Sequence, residues 1–397
     1  MDPLCVQESL PVPEGGGENV WSSDRLSQIP FQILRGHRGA VSSCHFCCQD
    51  TKLLTSSHDQ TARLWDLSSC TSICDYGGEH TAPISQCSPT QDNRRMVTSS
   101  YDKTVKFWDM ETGKVLGSVN LDGLVTSCNV SGDGRLVGCS VDVDNAVYII
   151  DFTTASKVQH IKDQHTSTIT RCCFDPEGQR VCSVSSDRSI ILWDMIAQRT
   201  TIRINGAHGN VISDCSFSNN GRLLCTASWD KCVKLWDVNT GEFRHSGPNT
   251  LLHGHIGSVS SCIFSEDGSI LVSGGYDKRI IMWDVNSACK KLVLKGHTDW
   301  VLDVALSTNK KWILSASKDS TLRLWNIENC EEIPAVIENK KAIGPRHAQC
   351  EECQKPFPIM HWDNTNVTHK CVFCRLSAPS KDTDHLPPVP PTVSTPV

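Results

Sequence analysis

Residues 228–237 read Ser-Trp-Asp-Lys-Cys-Val-Lys-Leu-Trp-Asp. Val233 and Leu235 alternate with more polar neighbours just after an Asp-containing turn, and this period of two predicts a short strand entered from a tight turn. The chain repeats this pattern. A degraded copy covers residues 143–151, and close copies begin at residues 57, 100, 186, 275 and 317. Seven copies in one chain predict a repeat architecture.

Fixed spacings tie further residues to each copy. In six copies a His stands 28 positions before the terminal Trp, an Asp stands six positions before it, and a Ser or Thr stands four positions before that Asp. The third copy has Asp122 at the His position, Ser140 at the hydroxyl position, Asp144 at the Asp position and Ile150 at the Trp position. The six complete sets are His37, Thr55, Asp59, Trp65; His80, Thr98, Asp102, Trp108; His165, Ser183, Asp187, Trp193; His208, Thr226, Asp230, Trp236; His255, Ser273, Asp277, Trp283; and His297, Ser315, Asp319, Trp325.

These repeats resemble the WD40-repeat family, whose period of about 40 to 45 residues and Gly-His to Trp-Asp signature mark the four-stranded blades of a β-propeller. The resemblance extends over roughly residues 31–330. It implies an all-β, seven-bladed propeller, which we place at residues 25–338, with a hydrogen-bonded His, Ser/Thr, Asp and Trp tetrad in each complete repeat. The third blade has lost both ends of its tetrad, and we expect it to be the least stable.

Two segments could supply the strand that closes the ring. In the family that this chain resembles, each repeat begins with the outer strand of the preceding blade, so residues 31–34 should complete the seventh blade. Residues 333–337 fall where an outer strand would follow the seventh Trp-Asn. We favour residues 31–34, because Pro334 removes a backbone donor from the competing segment.

Composition limits the class of protein. The formal charge is −6 and 21% of residues are charged, so no overall field favours nucleic acid or an anionic membrane. The N-terminus lacks the apolar run of a signal peptide, and no stretch approaches 18 apolar residues. We therefore expect an intracellular protein, cytoplasmic rather than nuclear, without membrane contact and monomeric on its own. Residues 1–24, rich in Gly, Pro and Glu, should form a disordered tail.

The 22 cysteines should then be thiols or metal ligands rather than a disulfide framework. One fixed site, seven positions after the His of each repeat, accounts for many of them as small buried hydrophobic side chains on the first strand. No paired spacing supports a redox relay through the core. The occupants of this site in the seven repeats are Cys44, Cys87, Asn129, Cys172, Cys215, Cys262 and Val304.

No nucleophile elbow, phosphate loop or zinc-protease motif occurs, and tetrads that recur in every blade are structural, so we do not expect an enzyme. The remaining class of function is the recognition of a partner molecule. In peptide-reading propellers, the residue just before the tetrad Asp often lies at the channel entrance, and aromatic side chains anchor interfaces. We call the residues at this position the entrance row, which comprises His58, Tyr101, Val143, Ser186, Trp229, Tyr276 and Lys318, and Trp300 could join it. The aromatic members could equally be ordinary exposed side chains that pack on neighbouring loops.

Two Cys-x-x-Cys pairs, Cys350 with Cys353 and Cys371 with Cys374, follow the propeller. Their spacing predicts one structural zinc ion held by four thiolates, in a small zinc-ribbon-like module at residues 345–376. Unligated thiols or a redox-labile dithiol pair are the alternatives. The histidines at 347, 361 and 369 are expected bystanders, because four sulfur ligands suffice.

The surroundings of this module weigh against other partner classes. Its basic residues at 340, 341, 346, 355, 370 and 375 form only a modest cluster, so we do not expect nucleic acid as a partner. Residues 377–397 should be a disordered tail rich in Pro, Ser and Thr. Arg is absent two positions after each Trp-Asp, which disfavours a ubiquitin-ligase substrate receptor.

We therefore expect a non-enzymatic scaffold or peptide-reading subunit whose partners are other proteins or peptides. The alternatives are a nucleic-acid-associated protein that uses the basic zinc module, and a ubiquitin-ligase receptor. The resemblance supplies an architecture rather than an activity.

Overall fold

The computed structural model describes residues 22–23, 29–238, 249–251, 254–285, 289–330, 336, 347–349 and 356–358. Within the first unit, Met1–Ile337, the described strands form seven antiparallel sheets, and in six of them every strand pairs only with its neighbours in sequence. The innermost strands of successive sheets contact one another in a closed ring. The predicted all-β, seven-bladed propeller is confirmed. No helix within the described ranges is long and apolar enough to cross a membrane.

The strands are short and evenly spaced. In chain order they are β1 (Ser22–Ser23), β2 (Pro30–Arg35), β3 (Val41–Cys47), β4 (Lys52–Ser57), β5 (Ala62–Asp66), β6 (Ser72–Tyr76), β7 (Ile84–Pro89), β8 (Arg95–Ser100), β9 (Thr104–Asp109), β10 (Val115–Asn120), β11 (Val125–Val130), β12 (Leu136–Val141), β13 (Ala146–Asp151), β14 (Ser156–Ile161), β15 (Ile169–Phe174), β16 (Arg180–Ser185), β17 (Ile190–Asp194), β18 (Arg199–Ile204), β19 (Ile212–Phe217), β20 (Leu223–Ser228), β21 (Val233–Asp237), β22 (Asn249–Leu251), β23 (Val259–Phe264), β24 (Ile270–Gly275), β25 (Arg279–Asp284), β26 (Cys289–Lys295), β27 (Val301–Leu306), β28 (Trp312–Ser317), β29 (Thr321–Asn326), β30 (His347–Gln349) and β31 (Pro356–Pro358).

The ring is closed by the N-terminal strand. β2 pairs with β29, and the seventh sheet therefore has the order β1-β2-β29-β28-β27. Residues 31–34 therefore form the outer strand that closes the seventh blade, as we predicted in preference to residues 333–337. Of that second segment, Val336 is buried in the same hydrophobic cluster as Phe31. Ser22 and Ser23, which we expected in a disordered tail, pair with β2 instead.

The hydrophobic core lies between the blades. Leu34 of the seventh blade packs in one cluster with Trp65 of the first, and Cys225 of the fifth packs in another with Val259 of the sixth. Each blade therefore buries its apolar face only when its neighbour is present, which is the physical reason that a propeller needs a closed ring.

A β-bulge near the start of every inner strand positions the side chains of the channel. In the first blade the register shifts between Val41 and Ser43, and the same shift recurs in each inner strand. A bulge re-aims the side chain beside it. The residues that follow the bulges form the waist ring, which is Ser43, Gln86, Ser127, Arg171, Asp214, Ser261 and Asp303.

The third blade has one residue more than its neighbours in the hairpin between β12 and β13. Ser140 bonds Thr126 there as Ser56 bonds Ser42 in the first blade. The cross-strand partner of Ser140 lies seven residues on, whereas that of Ser56 lies six residues on. The extra residue is Val143, whose side chain is 67% exposed.

This insertion makes two sequence-based assignments wrong, because the spacing from the Trp position was counted back across it. The residue at the His position is Leu121 rather than Asp122, and the residue at the hydroxyl position is Cys139 rather than Ser140. Together with Ile150, these two side chains are buried in a single hydrophobic cluster. The polar tetrad is thus replaced by an apolar trio that leaves no tetrad donor unpaired. Asp144 keeps its place, and its Oδ2 accepts bonds from Tyr148 and His160, but its Oδ1 is buried without a partner among the described residues. An unpaired buried acceptor costs stability, and the rank of the third blade among the seven stays a prediction.

The same insertion shifts two further sequence-based assignments in the third blade by one residue. The N–H of Asp142 donates to the carbonyl of Leu124, as the N–H of His58 donates to the carbonyl of Ala40 in the first blade. Asp142 rather than Val143 therefore holds the third position of the predicted entrance row. The buried cysteine site on β11 holds Cys128, not Asn129, and Cys128 is fully buried.

The second unit, Glu338–Val397, contains the short strands β30 and β31. They pair antiparallel, with His347 opposite Pro358. The four cysteines of the predicted zinc module lie outside the described residues, as does the predicted C-terminal tail at 377–397.

Candidate functional site

The tetrads connect the strands of their own blades. In the second blade His80 Nδ1 lies 2.7 Å from Asp102 Oδ2, and His80 Nε2 lies 2.8 Å from Thr98 Oγ1. Trp108 Nε1 donates to the same hydroxyl at 2.8 Å. Burial lowers the pKa of His80, so its imidazole is neutral at pH 7, with Nδ1–H donating to the carboxylate. The same three contacts occur in the first, fifth, sixth and seventh blades.

The fourth tetrad is incomplete. His165 bonds Ser183 and Asp187 at 2.8 and 3.1 Å. The indole nitrogen of Trp193, however, is buried without a hydrogen-bond partner among the described residues. The predicted fourth tetrad therefore lacks the bond from its Trp, because residue identity and spacing do not fix the orientation of an indole ring. Every tetrad group that does bond is occupied inside its own blade, which fits a structural role.

This difference yields a matched pair of substitutions. Trp236→Phe removes the bond of 3.0 Å from the indole to Thr226, and we expect it to lower the free energy of unfolding by about 1–2 kcal/mol beyond the packing change. Trp193→Phe removes no such bond, so the packing change alone should appear. Urea unfolding of the two variants, followed by circular dichroism, gives the comparison, and equal losses would contradict it.

The entrance to the channel is lined by aromatic side chains. A cavity of about 400 Å³ lies at this end, and we call six of the residues that line it the rim residues: His58, Tyr101, Trp229, Tyr276, Trp300 and Lys318. Ser186, at the fourth position of the predicted row, does not line this cavity. Neither does Asp142 or Val143.

Three of the rim residues form a continuous arc across the fifth, sixth and seventh blades. Tyr276 stacks on Trp300 with ring centroids 4.5 Å apart, and Trp229 lies 6.2 Å from Tyr276. The ammonium group of Lys318 lies 4.2 Å from the Trp300 ring centroid. The rings of His58 and Tyr101, in the first and second blades, lie with their centroids 6.3 Å apart. Trp229 and Trp300 remain 41% and 40% exposed. The arc is thus held by its own contacts while its outer faces stay open to solvent.

Below the rim, hydroxyl side chains join neighbouring blades. Ser42 donates to the carbonyl of Ile84 in the next blade at 2.7 Å, and Ser213 donates to Val259 at the same distance. Equivalent bonds cross four more blade junctions. At the junction between the seventh and first blades, Leu302 stands where the other blades have the hydroxyl residue and cannot form this bond. The bond between these two blades is formed instead by Asp303, which accepts from the N–H of Cys44 at 2.9 Å. These bonds fix the floor of the rim cavity.

The waist ring contains one cation between two acids. Arg171 Nε donates to Asp214 at 2.8 Å, and its Nη2 lies 3.8 Å from Asp303. The side chains of the two acids are 5% and 4% exposed. Burial would lower the pKa of Arg171, but Asp214 and Asp303 raise it above its ordinary value. Arg171 borders both the rim cavity and the cavity at the other end of the channel, so it separates the two.

Sequence reasoning missed this group. A signal existed, because charged residues at the position after the bulge are unusual on a buried inner strand. The aligned spacing of the repeats gives Arg171, Asp214 and Asp303 the same place in three blades. Only the closed ring brings them together.

Comparisons with known proteins agree with the fold. The family model described as "WD domain, G-beta repeat" matches residues 28–66, 70–109, 156–194, 199–237, 247–284 and 288–326, and it leaves β11, β12 and β13 of the altered third blade unmatched. The chain is 53% identical over 388 residues to human WD repeat-containing protein 88, which covers 95% of this chain and 82% of that protein. It is also 32% identical over 164 residues to a guanine nucleotide-binding protein subunit beta of japonica rice, covering 40% of this chain and 32% of that protein. The chain belongs to the WD40-repeat family.

Proposed function

We propose that this protein is a non-enzymatic interaction scaffold whose rim residues capture a peptide segment of a partner protein. WD40 propellers typically mediate protein–protein interaction and are generally not enzymes. The observation that supports the finer proposal is the arc of Trp229, Tyr276 and Trp300, which presents exposed aromatic faces on a floor fixed by bonds between blades. Rigid aromatic anchors around a pocket are typical of binding hot spots.

The rim proposal predicts a loss of partners without a loss of fold. Proximity labelling in cells with the full chain should identify neighbours that disappear in a Trp229→Ala, Tyr276→Ala double variant. Each truncated hot-spot aromatic should weaken binding by about 2 kcal/mol or more, that is about 30-fold. A matched control is Leu116→Ala with Ile196→Ala, which removes side chains that are 55% and 79% exposed away from the rim. If the rim variant keeps every neighbour while the melting temperature is unchanged, the proposal fails.

We also propose that Cys350, Cys353, Cys371 and Cys374 bind one structural zinc ion. The support is the spacing of the two Cys-x-x-Cys pairs, since four thiolates complete a tetrahedral site. Metal analysis of the purified full chain should give one zinc per chain, and a Cys350→Ser, Cys371→Ser variant should lose it. Zinc retained at full stoichiometry in this variant would contradict the assignment. Proximity labelling with the same variant tests whether this module, rather than the rim, recognises partners.

A further inference from the structure

Three cysteine side chains converge at the junction of the fourth and fifth blades. Cys173 on β15 and its cross-strand partner Cys182 on β16 face Cys215 on β19. The three sulfur atoms lie within 4.8 Å of one another, and those of Cys173 and Cys215 are 3.4 Å apart. Within the described ranges, no other group of three His, Cys, Asp or Glu side chains brings its ligand atoms together in this way.

The repeat pattern accounts for only one of the three. Cys215 occupies the buried cysteine site that most blades share. Cys173 and Cys182 lie at another cross-strand pair, whose counterparts in the first blade are His45 and Leu54. The fourth blade therefore carries two additional cysteines, and both approach the cysteine of the next blade.

The cluster can be reached from solvent. Cys173 and Cys215 line the cavity at the end of the channel opposite the rim, and Cys182 lies fully buried behind them. The surroundings of the three sulfur atoms are apolar, with Ile190, Leu192 and other hydrophobic side chains of the same cluster. An ion could thus enter from the cavity and be held in a site shielded from water.

We propose that Cys173, Cys182 and Cys215 bind one cuprous ion in a three-coordinate, all-sulfur site. Soft sulfur ligands select Cu(I), zinc or iron–sulfur clusters over harder ions. Structural zinc takes four protein ligands, whereas three sulfur atoms satisfy Cu(I). The site would be independent of the rim and of the proposed zinc module.

Binding is an exchange of protons for metal. In the metal-free protein the thiols are protonated, because burial raises the pKa of Cys182 and hydrogen bonding to Cys173 raises the pKa of Cys215. Cu(I) would displace thiol protons to solvent through the cavity without any change in its oxidation state, so the apparent affinity should rise with pH.

The test uses the full chain with Cys350→Ser, Cys353→Ser, Cys371→Ser and Cys374→Ser, so that the other candidate metal ligands do not compete. Anaerobic titration with Cu(I) against a chromophoric chelator should give one tight equivalent, and X-ray absorption should show sulfur neighbours only. Adding Cys182→Ser should weaken binding by about 100-fold or more, since even changes outside the ligand set cost 10- to 100-fold. Adding Cys139→Ser instead, at an equally buried cysteine of the third blade, should change nothing.

A second measurement needs no core variant. One equivalent of Cu(I) should protect Cys173 and Cys215 from alkylation in the quadruple variant, as read by mass spectrometry. Equal Cu(I) affinity of the Cys182→Ser and Cys139→Ser proteins, or alkylation of Cys173 unaffected by Cu(I), would show that the three thiols serve only as small core side chains.

Discussion

Deletion of residues 1–35 should abolish the cooperative unfolding transition of the propeller. The deletion removes β2 and with it three buried side chains, Ile29, Phe31 and Leu34. At about 1.5–3 kcal/mol for each buried apolar side chain, the loss is about 5–9 kcal/mol. A domain typically has only about 5–15 kcal/mol in total. The deletion also exposes β29 as an unpaired edge, which favours aggregation.

Two matched variants isolate the cause. Deletion of residues 1–21 leaves β1 and β2 in place and should leave the melting temperature unchanged within about 2 °C. Phe31→Ala keeps the backbone pairing but removes a ring that lies 4.7 Å from the Trp325 ring, and it should cost about 3–5 kcal/mol. Differential scanning calorimetry measures all three. An unchanged melting temperature after the longer deletion would mean that residues 333–337 can close the ring instead.

Substitution of Arg171 by Met should lower the free energy of unfolding by about 3–5 kcal/mol, because it leaves Asp214 and Asp303 buried without their cation. Met keeps most of the aliphatic volume of the Arg side chain, so the lost charge dominates. The combination Arg171→Met, Asp214→Asn, Asp303→Asn should recover part of the loss, since the amides are neutral. Recovery should be incomplete, because both oxygens of each native carboxylate accept a backbone N–H, whereas each amide keeps only one acceptor oxygen. No recovery would mean that packing, not charge, explains the effect.

The loss in free energy of unfolding caused by Arg171→Met should also depend on pH. Burial raises the pKa of Asp214, and Arg171 opposes that rise in the native protein. Without Arg171 the pKa should rise further. An acid whose folded pKa is raised loses stability as the pH climbs from its unfolded pKa to its folded pKa, so the difference between variant and native protein should be larger at pH 8 than at pH 5. A difference that stays constant across this range would contradict the ionic explanation.

The repeats, the seven blades and the geometry of five tetrads could be predicted from residue identities, because each spacing reflects a local hairpin within one blade. Closure by residues 31–34 was also predictable, since Pro334 disfavours the competing segment. The sequence even contained a signal for the true register of the third blade. Cys128, one position before Asn129, falls in line with the buried cysteines of the other blades once Val143 is recognised as an insertion.

Other features were decided by the tertiary structure alone. The indole nitrogen of Trp193 has no hydrogen-bond partner among the described residues, and residue spacing does not encode the orientation of a ring. Arg171, Asp214 and Asp303 belong to three different blades, and only the bulges and the closure of the ring place them within ion-pair distance. The rim arc and the cysteine cluster likewise join neighbouring blades. A local pattern determines each blade, whereas contacts between blades depend on how all seven pack around one axis.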